Sequence, residues 1–267
     1  MARKTNFKAI KAKILERSAA SGAAGVYKEA HESKTLCELC GVIKEYFKVC
    51  CNLKIITSDL LEAYREDFAQ NDIFINVSVK SGCLLCNSGT VKARGGAVVV
   101  ACGEAVVETQ GRVIVEARGN AFVRACHNTI VRAFDNSIIE AYGNAMVTAF
   151  DYSIVRAWGD ATVAAYDNSV IEAHSTTIKA RDYATVKARD HSIVEAYDYA
   201  IVKACDHSIV EAYGPYVTIN ACGNARCTSY DSAQCKLTDS AINVVINNAQ
   251  NIETIYYSDN SINFIKQ

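Results

Sequence analysis

Between Gly119 and Ser229 the chain repeats one eight-residue phrase: GNAFVRAC, HNTIVRAF, DNSIIEAY, GNAMVTAF, DYSIVRAW, GDATVAAY, DNSVIEAH. Its pattern, Asp/Gly-Asn-Ala/Ser-x-Val/Ile-x-Ala-x, constrains the fold more than any other feature, because a fixed short period makes each unit a copy of one structural step. Within a unit, Ser137, Ile139 and Ala141 alternate with Ile138, Glu140 and Tyr142, the period-two pattern of a strand with one buried face. Asp-Asn, Gly-Asn or Asp-Tyr separates the strands, and such residues tolerate the left-handed backbone of a tight corner. Strand and corner, repeated without helices, predict a β-solenoid.

A second period sets the size of the coil. Numbered from its Ala or Ser, the octad's sixth position reads Phe134, Phe150, Tyr166, Arg181, Tyr197, Tyr213 and Tyr230 in alternate units. In the units between it reads Cys126, Tyr142, Trp158, His174, Arg189, Cys205 and Cys222. The fourth position gives Arg124, Glu140, Arg156 and Glu172 at intervals of 16. In a coil of two octads these four stack at about 4.8 Å with opposite charges adjacent. The inward set of Ala or Ser, Val or Ile, then Ala suits a thin interior between two sheets; a three-sided coil needs Leu or Phe. The expectation is a mainly β chain: a two-sheet solenoid with 16 residues per coil behind a small helical head. Phe134, Phe150 and Tyr166 then form one column, with Tyr142 and Trp158 on the opposite sheet. One residue is missing near Ser175 and one is added near Pro215, the only proline. Both changes fall in corners, where the strand phase survives. From about Ile73 to Val245, roughly 22 octads give about 11 coils and a rod of about 50 Å at a 4.8 Å spacing.

The chain divides into a head over 1–72, the solenoid over 73–241 and a last layer over 242–267. Up to residue 35 the sequence is basic. Phe7, Ile10 and Ile14 form a helical stripe beside Lys4, Lys8, Lys11, Lys13 and Arg17, a segment able to meet nucleic acid or an acidic partner, or to pack on the head. SAASGAAG reads as a joint or a helix end. Two helices follow, near 36–50 and 58–69, the first opened by the capping box Thr35-x-x-Glu38. A solenoid exposes strand edges at its first coil, and covering them is a sufficient role for the head. After Ala241 the octad dissolves into bulkier residues, as a cap or a self-association layer.

Across 267 residues the net charge is −1 and 50 % are hydrophobic, which implies neither disorder nor a polyanion-binding rod. No apolar run spans a bilayer, and the first residues lack a secretory core. The twelve cysteines therefore read as reduced thiols of a cytoplasmic protein. Cys37 with Cys40, and Cys83 with Cys86, have the spacing of zinc knuckles. Buried structural thiols are the competing reading: Cys40 shares a helix face with Leu36, Ile43 and Phe47, and Cys83 fits an inward octad slot.

The outward positions remain for function. Phe122, Ile138, Ile154 and Val170 form an apolar stripe on one sheet, flanked by the Arg124, Glu140, Arg156, Glu172 ladder and by Tyr142 and Trp158. A contiguous apolar patch of this kind marks a partner surface. Asp190-His191 and Asp206-His207 stack one coil apart, but their column holds Asn128, Asn144 and Asp160 elsewhere, which is corner chemistry. No phosphate loop, nucleophile elbow or HExxH is present. The expectation is a protein that is no enzyme, needs no cofactor and presents a ladder surface to a protein partner or to itself as a homo-oligomer, with no membrane contact. The alternative is an inhibitor or adaptor of nucleic-acid machinery acting through the basic segment.

The run DNSIIEAYGNAMVTAFDYSIVRAWGDATVAAYDNSVIEA, with SDLLEAYREDFAQNDIFIN leading towards it, resembles octapeptide-repeat solenoid proteins of phages and mobile elements of gut bacteria. The likeness covers about two thirds of the chain and implies the architecture and that origin, while saying little about activity. The repeat is also similar in logic to ice-binding solenoids, but those carry outward Thr ladders where this chain has mainly Ile, Glu, Lys, Arg and Tyr.

Overall fold

The computed structural model describes residues 6–230, 233–247, 252–257 and 262–266. It is a parallel two-sheet β-solenoid with a helical segment in front. Strands alternate between a fourteen-stranded sheet and a ten-stranded one. Val131, Val147 and Val163 lie side by side in the long sheet at intervals of 16, and Ile139, Val155 and Ile171 do so in the other. The two corrections fall where the sequence puts them. Thr162 pairs with Thr177, fifteen residues on, and Ile209 with Arg226, seventeen on.

The inward set is Ala, Val or Ile, Ala: Ala145, Val147 and Ala149 are buried, as are Ala161, Val163 and Ala165. Small side chains at every inward slot let the sheets close without a wide interior. The hydroxyls divide by corner. Thr129 and Ser192 donate to the carbonyls of Cys126 and Arg189, each at 2.7 Å, and Ser208 to that of Cys205. Ser137, Ser153 and Ser169 stack in register without a hydrogen-bond partner among the described residues. Ser-to-Ser bonds are not made in that column, because hydroxyls one coil apart sit about 4.8 Å from each other, beyond hydrogen-bond reach.

Each corner turns on its first residue. Asp135, Asp151, Asp167, Asp182 and Asp198 have φ between 55° and 60°, a left-handed conformation that Asp adopts at low cost. Their carboxylates tie the coils together. Asp151 Oδ2 accepts from the N–H of Asp135 at 3.0 Å, Asp167 Oδ2 from that of Asp151 at 3.1 Å, and Asp182 Oδ2 from that of Asp167 at 3.3 Å.

The coils number about ten rather than eleven, because the first is cut short. Ile73–Ile75 pairs with Cys83–Leu85, ten residues on, and between them the chain forms no strand of the ten-stranded sheet but an isolated bridge from Val79 to Ala93. At the other end Ile242–Asn247 continues the parallel stack, and Ile252–Tyr257 and Ile262–Lys266 reverse into antiparallel pairs.

The head holds helices over Phe7–Ala20, Ala24–Glu32, Leu36–Glu45, Phe47–Asn52, Ser58–Ala63 and Arg65–Ala69. Thr35 and Thr57 cap the third and fifth, accepting from the N–H groups of Glu38 and Leu60. The helix over Ala24–Glu32 lies where the sequence suggests no helix. Gly22, with φ +71°, ends the first helix and a new one starts two residues later. The head does more than cover an edge, since it lies on the outer face of the long sheet. Ile73, Ile75, Cys83, Leu85 and Val100 pack among its helices, while Leu84, Cys86, Val99 and Ala101 point into the solenoid. Glu116, 2 % exposed, closes that contact by accepting from Asn52 Nδ2 at 2.7 Å and Arg118 Nε at 2.8 Å. Among the described residues nothing packs over the outer face of the ten-stranded sheet, where Ile154, Val170 and Ile201 are exposed.

Candidate interaction surface

The apolar stripe, the charge ladder and the Tyr142–Trp158 pair singled out above all lie on that open face. Phe122–Ala125, Ile138–Tyr142, Ile154–Trp158 and Val170–His174 are consecutive parallel strands. Phe122, Ile138, Ile154 and Val170 align in one column, Arg124, Glu140, Arg156 and Glu172 in a second, and Tyr142 and Trp158 in a third. The pleat alone produces this arrangement: positions two, four and six point outward, and a 16-residue coil stacks equal positions.

Within the apolar column Ile154 is 36 % and Val170 44 % exposed, and Phe122 and Ile138 are half-buried. The charged column is paired within itself. Glu108 lies 3.4 Å from both Lys92 and Arg124, Arg124 3.3 Å from Glu140, Glu172 4.0 Å from Arg156 and 3.1 Å from Lys187. The Lys187 ammonium holds the Glu172 carboxyl below its ordinary value, and Glu140 pushes the Arg124 guanidinium up. The aromatic column is a parallel stack: Tyr142 and Trp158 lie 4.8 Å apart at 6°, and Trp158 and His174 6.0 Å apart at 9°. Tyr142 donates its hydroxyl to Glu140 at 3.2 Å, and burial followed by that carboxylate pushes its pKa up. His174 Nδ1 lies 3.0 Å from Asp190 Oδ2. On the long sheet Phe134, Phe150 and Tyr166 form the other expected column, at 5.0 and 5.2 Å.

Beside the aromatic ridge lies a feature that sequence reasoning missed. A shallow cleft of about 280 Å³ opens between Lys92, Arg94, Glu108, Gln110, Arg124 and Cys126. Its cause is Thr109, in a slot that Ala93 and Ala125 fill in the coils on either side. The buried Thr109 hydroxyl lies 2.7 Å from that of Thr129 and accepts from the Cys126 N–H at 3.1 Å. The ladder between these two strands therefore stops at Glu108 and Arg124. A Thr breaking a run of Ala was the available signal.

The other candidates do not converge. Lys11 Nζ donates to the carbonyls of His31 at 2.7 Å and Ser33 at 2.6 Å, and Arg17 to the Ile55 carbonyl at 3.2 Å and Thr57 Oγ1 at 3.0 Å. Lys13 sits over the Tyr64 ring, Lys8 is exposed, and Lys4 lies outside the described residues. Of the CxxC pairs, Cys37 is exposed and Cys40 lies in the head core. Cys86 lies in the solenoid core, and Cys83 faces the head rather than the inward slot read from the sequence. Burial pushes the Cys40 thiol up to about 12 and those of Cys83 and Cys86 up to about 11, which disfavours the thiolate a zinc ion requires. Among the described residues no three His, Cys, Asp or Glu side chains form a metal-holding group. His191 and His207 stack ring on ring at 5.4 Å, within the corner column.

The cysteines are not all free thiols. Cys205 and Cys222 form a disulfide, a correction to the reduced set expected from the sequence. They occupy the same position in adjacent coils, and their Cα atoms stand 4.7 Å apart, within bridging distance. Among the described residues no helix is long and apolar enough to cross a membrane. In comparisons with known proteins, no family model, no curated protein and no solved structure matches the chain.

Proposed function

We propose that this chain is a non-enzymatic structural and interaction protein of phage or mobile-element type. Its rod holds the outer face of the ten-stranded sheet rigid and presents it to a protein partner or to another copy. The observation that carries this reading is the in-register alignment of an apolar, a charged and an aromatic column on the face that the head leaves open. An exposed apolar stripe rimmed by polar groups is the usual mark of a docking surface. The side chains here are already ordered by stacking and pairing, so little conformational entropy remains to be lost on binding. The reading as an inhibitor or adaptor of nucleic-acid machinery leans on the first helix. Lys11 and Arg17 are tied there to backbone carbonyls, and no observation favours it.

The test replaces Ile138, Ile154 and Val170 by Lys. Circular dichroism should remain β-rich, and association with copies or with a captured protein should be lost. An association that survives the triple substitution, or a chain that binds nothing before and after it, would sink the reading.

A further inference from the structure

The charge column carries information about what it meets. From Lys92 to Lys187 its sign alternates coil by coil: Lys92, Glu108, Arg124, Glu140, Arg156, Glu172, Lys187. Consider a second copy laid face to face on the first about a two-fold axis parallel to the strands. That operation reverses the rod direction but leaves positions along the strand unchanged, so each column faces its own counterpart. An axis passing through a strand sets like charge on like. An axis between strands sets every charge on its opposite.

One of these positions also satisfies the other two columns. With the axis between Phe122–Ala125 and Ile138–Tyr142, Arg124 faces Glu140, Glu108 faces Arg156 and Lys92 faces Glu172, each pair occurring twice by symmetry. Phe122 then lies on Ile138 and Val106 on Ile154, apolar on apolar. Tyr142 falls opposite Cys126 and Trp158 opposite Gln110, so the aromatic ridge of each copy meets the cleft of the other. Moving the axis one coil onward sets Lys92 against Lys203; moving it one coil back leaves only four strands overlapped.

Resting on the docking-face reading above, we propose that the partner of this face is a second copy of the chain, bound antiparallel in that register. Six strands at about 4.8 Å by five residues at about 3.3 Å give roughly 480 Å² of plan area per copy. Both copies together thus bury about 950 Å², the size of a weak, reversible complex. The head lies against the other sheet and does not obstruct the approach.

Sedimentation of the full chain over a range of concentrations and salt tests this. The expected result is a monomer–dimer equilibrium that weakens as salt rises. Glu108→Arg with Glu140→Arg opposes like charges at four of the six contacts and should weaken the dimer by at least about thirtyfold. Adding Arg124→Glu and Arg156→Glu restores opposite signs throughout and should return affinity to within about threefold of the original. Circular dichroism and the thermal midpoint check that each variant folds. If the charge variants unfold, Gln110→Trp serves instead, since it fills the cleft while leaving every ladder charge in place and should abolish the dimer. A dimer indifferent to these changes overturns the proposal, as does a chain that stays monomeric at millimolar concentration. If the monomer still binds another protein in a way that Ile138→Lys, Ile154→Lys and Val170→Lys abolish, self-docking alone is refuted. If it binds nothing, the docking-face reading falls with it.

Discussion

Replacing Ala149 by Phe tests the phase of the whole inward set. Ala149 is fully buried, between Ala133 and Ala165 in one column of the long sheet. A benzyl group there must displace neighbours held at about 4.8 Å along the rod, in an interior built from Ala and Val. Overpacking a tight core costs about 1–3 kcal/mol and occasionally more. With Ala on both sides in the column there is no flexible side chain to yield, so the upper figure applies. At about 2–4 °C per kcal/mol for a chain of this size, the thermal midpoint should fall by about 6–12 °C. Thr148→Phe is the internal control: it adds a ring to the neighbouring residue, which points outward, and should stay within about 0.5 kcal/mol. Differential scanning calorimetry on both variants decides the matter. A near-unchanged midpoint for Ala149→Phe with a large loss for Thr148→Phe would mean that the strands have been placed one residue out of phase.

Two further outcomes are expected. At the corner, Asp167→Val should cost about 1–3 kcal/mol, because a β-branched residue is strained at a left-handed φ of 55°, whereas Asp167→Asn should stay within about 0.5 kcal/mol; equal effects in denaturant titrations would refute the conformational account. Glu172 and Glu195, held below the ordinary 4.5 chiefly by hydrogen bonds from Lys187 and Lys179, stabilise the fold fully above that value and lose this contribution as pH falls through their depressed pKa values. The thermal midpoint should therefore drop in that acid range, and Glu172→Gln with Glu195→Gln should flatten the drop; an unchanged slope would remove these pairs from the explanation.

The parts of this molecule legible in its sequence are those fixed by repetition. The recurrence of Arg124, Glu140, Arg156 and Glu172 at 16 defines the coil, and the missing residue near Ser175 and the added one near Pro215 show as phase slips that the strand pairing reproduces. The columns of the open face followed from the same count. What escaped prediction depends on single residues or on distant contacts. The helix over Ala24–Glu32 buries only Val26 and Ala30, too faint a stripe to stand out beside a glycine-rich joint. The head's position on the long sheet rests on outward residues such as Leu85 and Val100, which pattern alone assigns to solvent. The Cys205–Cys222 pair needs the coil geometry before its two halves become neighbours, and the cleft arises from one Thr in an Ala slot.

The alternating charge column sets a rule for how a rod of this kind grows. Duplicating one coil of 16 residues leaves the corners and the Ala–Val interior undisturbed, so the fold accepts it readily. The same event inverts the sign of everything beyond the insertion and places two like charges side by side at the join. A duplication of two coils, 32 residues, preserves both the fold and the sign sequence. Length is thus quantised in single coils for folding and in double coils for electrostatics. Lys187 beside Lys203 is the point along this rod where the second rule lapses.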